Sequence, residues 1–566
     1  MFDRIGKVLG TALTLFLTLA SLTGRAQVVA GGKDILEVVD KYKQAEVVIA
    51  YPGFNAMTLL AKDFSVSSCD GKKVVLSLTP LTDTIFIKMN IPYTLIIPDA
   101  SKSVYSASSV AEAMQWHSYP TYPQYDSIMH LLAKTYPNRC ILDTIGYSIK
   151  GKVIYALKIS DNPSLDEDKP EVFLTASIHG DELGGFVLMM RLAEELASKG
   201  GSDDLIALIN QGLEVWINPV SNPDGTYTDG NVITYPTRTN SNNVDLNRTY
   251  PDPQDPLITV PFENKEMIGF MKKHNFTLSV NFHAGSEVVN YPWDRWRRLH
   301  PDNDWFYGVS RRYADTVHLH SDPDYLTFMD NGITNGAVWY IIYGGRQDYV
   351  TYTLHGREVT VELDDTKQTP ASELETLWNS NHRSMLRYIT EALTGVKGFV
   401  TNSLTSLPVE AEVYISDHDA DSSEVYSDAK TGSYNRLLAP GTWNIEFIAD
   451  GYDSYVAENV IVTSGDVTRL DVTLKPKTIK KIFIWPVPSS GDIKILLPDD
   501  FAGEVQFTIT SLSGETVKVF NNSCTYGTPV TTSLRELSDG TYIIRARDLS
   551  NNSTSTGKIS VVKALQ

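Results

Sequence analysis

The stretch that decides the fold is Glu171-Val-Phe-Leu-Thr-Ala-Ser-Ile178, which leads directly into His179-Gly-Asp-Glu182. The run 171–178 is nearly continuous in apolar residues, which is typical of a strand whose two faces are both covered. Residues 186–198 then show the apolar period of an amphipathic helix. A strand that leads into a helix in this way predicts an α/β domain, and open α/β sheets bind their ligands at the carboxyl ends of strands.

The same alternation of strands and helices extends on both sides of this stretch, over residues 115–394. Further strand-like runs are found at 213–219, 277–282 and 358–363. We therefore predict a mixed, largely parallel twisted sheet flanked by helices.

The flanking regions have different patterns. Residues 28–110 mix short strands with a short helix, which predicts a small α+β domain. The helical patterns stop after Gly395, and residues 396–476 and 480–566 predict two small all-β sandwiches.

The first 26 residues have the pattern of an export signal. Arg4 and Lys7 precede an apolar run of about 13 residues, and Gly24-Arg25-Ala26 provides small residues for cleavage. The alternative is a transmembrane anchor, which needs about 20 apolar residues. We therefore expect a secreted or cell-surface protein whose mature form has no transmembrane segment.

The composition limits the chemistry. The 566 residues carry a formal charge of −19, which disfavours nucleic acid as a partner. There are three cysteines, too few for a cysteine-rich metal site. Any metal must therefore be held by His, Asp or Glu side chains.

The candidate metal ligands are His179, Glu182 and His283, which all follow predicted strands. Two imidazoles and a carboxylate leave one tetrahedral position of a zinc ion open, as in catalytic sites. A single His-x-x-Glu pair also arises by chance, and His355 with Glu358 is interpreted as such a decoy. His283 alone is also compatible with an ordinary histidine at the end of a strand.

The loop 238–248 begins and ends with arginine and is rich in asparagine. It is compatible with a solvated loop, or with a clamp in which Asn247 and Arg248 bind a carboxylate. In that case Arg238 would stabilise an oxyanion. Glu362, at the end of a strand, is a surface residue or a general base.

Taken in order, these segments resemble the zinc metallocarboxypeptidases, specifically the regulatory branch of carboxypeptidases D, E, M and N. The similarity spans residues 116–394, and its motifs are Trp116-His-Ser-Tyr-Pro-Thr-Tyr, His179-Gly-Asp-Glu182, Asn222-Pro-Asp-Gly225, Val244-Asp-Leu-Asn-Arg248, Asn290-Tyr-Pro-Trp-Asp294, Gly332-Ile-Thr-Asn-Gly-Ala, Gly344-Gly-Arg-Gln-Asp348 and Val361-Glu-Leu363.

The resemblance implies a metallocarboxypeptidase with one Zn²⁺ per chain, which acts on the C-termini of peptides and proteins. By position it makes His179, Glu182 and His283 the ligands. The catalytic residues it implies are Glu362 as general base and Arg238 beside the scissile carbonyl.

The resemblance also implies the substrate contacts. Asn247, Arg248 and Tyr340 surround the terminal carboxylate, and Asp294 and Gln347 hold a basic side chain, which favours release of Lys or Arg. Arg346 departs from the branch, where this position is usually apolar. If it pointed into the pocket it would repel a basic substrate, whereas pointing outward or pairing with Asp294 would have other outcomes. The alternatives are another substrate, such as a cell-wall peptide or a glutamyl tail, and an inert surface-binding protein.

The flanking regions have resemblances of their own. Residues 396–476 resemble the transthyretin-like domain of this branch, with Gly398-Phe-Val and Ala439-Pro-Gly-Thr-Trp. Residues 480–566 resemble the C-terminal sorting domain of Bacteroidota type IX secretion, through Leu537-Ser-Asp-Gly-Thr-Tyr542 among other segments, which implies that machinery as a partner. The stretch around Ile91-Pro-Tyr-Thr-Leu-Ile resembles the end of a carboxypeptidase activation segment, which implies that residues 28–110 are an inhibitory prodomain or an additional domain.

Overall fold

The computed structural model describes residues 32–98, 104–165, 167–255, 258–477 and 480–563. The predicted signal segment, 1–26, lies outside these residues. Every helix in the described ranges is too short or too polar to cross a lipid bilayer. The three cysteines are buried and free, so Cys69 and Cys140 do not pair.

The N-terminal unit, residues 32–98, is a four-stranded antiparallel sheet in the order β2-β3-β1-β4 with three helices. Strand β1 alternates buried and partly buried residues, as expected when one face of a sheet is covered. The predicted α+β character is confirmed. The elements are α1 (Lys33–Tyr42), β1 (Ala45–Ala50), α2 (Phe54–Asp63), β2 (Ser65–Cys69), β3 (Lys73–Leu78), α3 (Asp83–Met89) and β4 (Thr94–Ile96).

The central unit is an α/β domain. Its elements are α4 (Val110–Ala113), α5 (Tyr122–Thr135), β5 (Cys140–Tyr147), β6 (Val153–Ile159), β7 (Glu171–Ala176), α6 (Gly184–Lys199), α7 (Asp204–Gly212), β8 (Glu214–Asn218), α8 (Pro223–Thr226), α9 (Phe262–Met271), β9 (Phe276–His283), β10 (Ser286–Tyr291), α10 (Asn303–His318), α11 (Phe328–Asn331), β11 (Ile333–Asn335), α12 (Gly336–Trp339), α13 (Arg346–Thr353), β12 (Arg357–Asp364) and α14 (Leu374–Thr390).

The eight strands of this unit form one mixed sheet in the order β11-β10-β12-β9-β7-β8-β6-β5. The four central strands β12, β9, β7 and β8 are parallel. Val172 and Leu174 of β7 pack with α6, while Phe173 packs on the opposite face against Phe270 of α9. Both faces are therefore covered, which explains the nearly continuous apolar run and confirms the predicted fold class.

The two C-terminal units are small β-sandwiches, as predicted. In the first, β13 pairs in parallel with β19 and β20, whereas the other pairings are antiparallel. Its strands are β13 (Gly395–Asn402), β14 (Glu412–Tyr414), β15 (Val425–Tyr426), β16 (Ser433–Arg436), β17 (Gly441–Ile448), β18 (Tyr455–Val462), β19 (Val467–Arg469) and β20 (Val472–Leu474). The second contains β21 (Phe483–Trp485), β22 (Asp492–Leu496), β23 (Gly503–Ser511), β24 (Thr516–Cys524), β25 (Val530–Ser533), β26 (Gly540–Asp548) and β27 (Thr554–Val561).

A buried charge cluster joins the central unit to the first sandwich. The carboxylate of Asp302, which is 3% exposed, accepts hydrogen bonds from Arg357 at 2.6 Å and from Arg436 at 2.7 Å, and lies 2.8 Å from Nε2 of His418. Arg357 belongs to the central sheet, whereas Arg436 and His418 belong to the sandwich. One carboxylate therefore neutralises arginines from both units.

We predict that Asp302→Ala destabilises the protein by about 3 kcal/mol, because the buried guanidinium of Arg357 loses its counter-charge and that of Arg436 keeps only Asp419. Calorimetric unfolding measures the change. The exposed neighbour Asp304 provides the control, since Asp304→Ala removes the same charge without touching the cluster. Equal unfolding midpoints for the two variants would contradict the role of Asp302.

Candidate metal centre and substrate cavity

His179 and Glu182 lie in the tight loop between β7 and α6. Gly180 allows this loop to form, because a Cβ at that position would lie 2.2 Å from the backbone of Gly225. His179 Nδ1 lies 2.8 Å from Glu182 Oε1, and the Ser177 hydroxyl donates a hydrogen bond to the Glu182 carbonyl at 2.9 Å. The loop thus points the imidazole and the carboxylate at one place.

The third candidate ligand, His283, is the last residue of β9, the strand next to β7. Its Nδ1 lies 2.8 Å from Glu182 Oε2 and 3.1 Å from Nδ1 of His179. All three side chains are at most 3% exposed. Two imidazole nitrogens and a carboxylate converge on one point, a donor set that fits zinc and leaves a position for a further ligand.

Two further side chains orient the imidazoles, and the sequence analysis did not single them out. Asp245 accepts a hydrogen bond from Arg238 at 2.8 Å and lies 3.1 Å from Nε2 of His179. Burial opposes ionisation of Asp245, but Arg238 holds the pKa of this carboxyl well below its usual value.

The amide of Asn281 lies 2.7 Å from Nε2 of His283. Such partners fix the ring orientation of metal-binding histidines. Asp245 belongs to the motif Val244-Asp-Leu-Asn-Arg248, and this position was the only indication in the sequence that it has a role.

Glu362 reaches the same site from β12. The parallel register pairs Glu362 with His283, so the two side chains leave neighbouring strands at the same level. Desolvation raises the pKa of Glu362 above its ordinary value, and the charge of Glu182 acts in the same direction. A carboxyl group with a raised pKa can both accept and return a proton near neutral pH.

A cavity of about 20 Å³ lies beside these groups, which is space for about one water molecule. Asn290, Ile342 and Thr360 contribute to its wall, together with Val66 and Ser67 of the N-terminal unit. Its wall includes nine of the ten predicted site residues, namely His179, Glu182, Arg238, Asn247, Arg248, His283, Asp294, Tyr340 and Glu362. The tenth, Gln347, is buried but does not belong to the wall, and neither of its amide atoms has a hydrogen-bond partner among the described residues.

Comparison with known proteins identifies the family. Residues 125–384 match the zinc carboxypeptidase family. The chain is 30% identical over 422 residues to the carboxypeptidase N catalytic chain of Rattus norvegicus, covering 65% of this chain and 89% of that relative. This chain belongs to the zinc carboxypeptidase family. The resemblance predicted from the sequence is confirmed.

A second relative, a solved structure and two further domain models also match this chain. It is 32% identical over 434 residues to carboxypeptidase D of Homo sapiens, an alignment that covers 71% of this chain but 31% of the length of that relative. Carboxypeptidase A from Helicoverpa armigera superposes with a TM-score of 0.49 and 18% identity over 61% of this chain and 97% of its own. Residues 395–475 match a carboxypeptidase regulatory-like domain, and residues 483–562 match a secretion system C-terminal sorting domain.

Arg346 of the carboxypeptidase domain takes none of the three arrangements considered for it. It is 1% exposed and forms an ion pair with Glu358, with 3.0 Å between Nη2 and Oε2. Its Nη1 donates to Thr175, and its backbone N–H donates to Asn247 at 2.9 Å. Glu358 is therefore the partner of Arg346, while His355 instead lies 3.6 Å from Glu424.

The N-terminal unit covers the cavity. Lys367 of the carboxypeptidase domain donates hydrogen bonds to Glu46 at 2.6 Å and to Ser67 at 2.9 Å. Gln44 accepts a hydrogen bond from the backbone N–H of Arg238 at 2.8 Å, and Ser65 donates to Asp245 at 2.6 Å. Strand β2 is thereby held over the candidate metal ligands by polar contacts.

A second group of side chains, Asp302, His418 and Asp419, also lies close enough together to hold a cation. Its carboxylates already form ion pairs with Arg357 and Arg436. We therefore assign this group to the contact between the two units.

Proposed function

We propose that this protein is an exported zinc carboxypeptidase that removes C-terminal Lys or Arg residues from peptides and proteins. The observation that carries the proposal is the convergence of His179, Glu182 and His283 beside a cavity that also contains Glu362 and Arg248. The three ligands would hold one zinc ion, which when bound lowers the pKa of water and polarises a carbonyl group.

The residues of this chain have separate tasks in the reaction. Arg248 Nε is buried without a hydrogen-bond partner among the described residues, so it is available to bind the terminal carboxylate of a substrate. Asn247 and Tyr340 line the same wall and would complete this contact. An internal peptide bond offers no carboxylate there, which limits cleavage to the last residue.

Proton transfer belongs to Glu362. Its carboxylate would accept a proton from the attacking water and then deliver that proton to the leaving amine. Arg238, whose guanidinium lies 3.3 Å from Glu182, would stabilise negative charge that develops on the scissile carbonyl oxygen.

Basic specificity is supported by the environment of Asp294. Asn290 donates a hydrogen bond to Asp294 Oδ1 at 2.8 Å, while its own amide oxygen is buried and has no partner among the described residues. Burial raises the pKa of Asp294 to about 6. A Lys or Arg side chain would supply both a counter-charge and donors. Gly336 leaves the necessary space, since a Cβ there would lie 1.8 Å from Asp294 Oδ1.

We further propose that residues 28–110 restrain the enzyme. Support comes from β2, whose Val66 and Ser67 form part of the cavity wall and occupy space that a substrate would need. The sorting-domain match supports export by the secretion machinery, with the enzyme released or held at the cell surface.

We predict that Glu362→Gln keeps about one zinc per chain but lowers kcat about 1000-fold, because proton transfer is lost while the ligands remain. Elemental analysis and hydrolysis of blocked dipeptides measure the two effects. The exposed Glu373 provides the control variant Glu373→Gln, which should behave as wild type. Near-normal turnover in Glu362→Gln would reject the assigned base, and wild-type protein without zinc would favour an inert binder.

The specificity is tested with blocked dipeptides that end in Arg, Lys, Phe or Glu. We expect wild type to prefer Arg and Lys, and Asp294→Ala to lower kcat/KM for them about 100-fold, as when one partner of a buried charge pair is removed. Hydrolysis of the Phe substrate should change little. A wild-type preference for Phe or Glu would point to another substrate class.

If the N-terminal unit covers the cavity, Glu46→Lys should raise kcat/KM about tenfold. The introduced lysine would repel Lys367 and so increase the fraction of molecules whose cavity is open. Glu37→Lys, on the exposed face of α1, makes the same charge change away from the contact and serves as the control. Equal activities in the two variants would argue that β2 does not limit access.

A further inference from the structure

Arg346 and Glu358 form a buried ion pair within the carboxypeptidase domain. They are 1% and 0% exposed, and 3.0 Å separates Nη2 of the arginine from Oε2 of the glutamate. The guanidinium also lies 5.2 Å from the ring centre of Phe173. Burying a charge is costly unless it is paired, so each member needs the other.

The pair lies directly behind the substrate cavity. Side chains two residues apart on a strand lie on the same face, so Glu358, Thr360 and Glu362 follow one another along β12. Thr360 and Glu362 belong to the cavity wall, and Glu358 lies one step deeper. The charge of Glu358 also acts on the carboxyl of Asp294, where it adds to the effect of burial in raising the pKa.

Arg346 would by itself oppose a basic substrate. Its cation lies behind a wall in which Asp294 is the acidic residue that is neither a candidate metal ligand, like Glu182, nor the proposed base, Glu362. Electrostatic effects are strong where water is excluded. Glu358 provides the opposite charge as an ion-pair partner, with 3.0 Å between Nη2 and Oε2. The negative potential of Asp294 can then attract a positively charged side chain of the substrate.

We propose that Glu358 is a specificity-determining residue, which neutralises Arg346 so that the cavity beside Asp294 accepts a positively charged C-terminal side chain. The pair acts through electrostatic potential and does not touch the substrate. This inference rests on the proposed function, whose substrate class it refines.

The experiment compares kcat/KM for blocked dipeptides that end in Arg and in Phe, measured on the same zinc-loaded, full-length preparation. The Arg/Phe ratio is independent of the folded fraction and of zinc content, so a merely structural role would not change it. We expect Glu358→Gln to lower this ratio about tenfold, which corresponds to about 1.4 kcal/mol. The kcat/KM for a dipeptide that ends in Glu should rise relative to that for the dipeptide that ends in Phe.

Two further variants make the result specific. Arg346→Met in the Glu358→Gln background removes the uncompensated cation and should restore the ratio to near wild type, while the backbone N–H of residue 346 still reaches Asn247. Glu214→Gln is the matched control, because Glu214 is a buried partner of Lys158 at 2.7 Å on β8, three strands from β12. Its ratio should equal that of wild type.

Each outcome decides the inference. An Arg/Phe ratio within twofold of wild type in Glu358→Gln, or no recovery in the double variant, would overturn it. If Glu358→Gln does not fold, Arg346→Met alone decides, since removal of the cation should raise the ratio, and an unchanged or lower ratio would overturn the inference. A wild-type enzyme without preference for Arg or Lys would reject the proposed specificity, whereas the direction of change in Glu358→Gln would still test the charge pairing.

Discussion

The structure depends on the convergence of two imidazoles and one carboxylate at the ends of adjacent parallel strands. His179 follows β7 and His283 ends β9, so the parallel pairing of these strands brings residues about a hundred positions apart to 3.1 Å. Glu362 arrives at the same level because β12 is the next parallel strand. The sheet order therefore determines where the chemistry takes place.

The second constraint is that buried charges need partners. Around the metal centre Asp245 pairs with Arg238, and behind the cavity Glu358 pairs with Arg346. The groups that remain without partners among the described residues are informative for the same reason. Arg248 Nε and the amide oxygen of Asn290 both lie at the cavity, where the carboxylate and the basic side chain of the proposed substrate would satisfy them.

Much of the fold was predictable because local patterns encode it. The apolar run of β7, the helical period of α6 and the short alternating strands after Gly395 each report which faces are buried. The candidate ligands were predictable because they follow strands. Asp245 and Asn281 were missed because their roles depend on the rings they contact, and an acidic or amide residue in a loop or strand has no distinctive local pattern.

The sequence by itself determined the family and the order of the units, and it named the candidate metal ligands, since these are properties of motifs along the chain. Only the tertiary structure decided the partner of Arg346 and the position of β2 over the cavity. The physical reason is that side-chain direction and electrostatic pairing arise between distant elements. Neither is visible in a residue's neighbours along the chain.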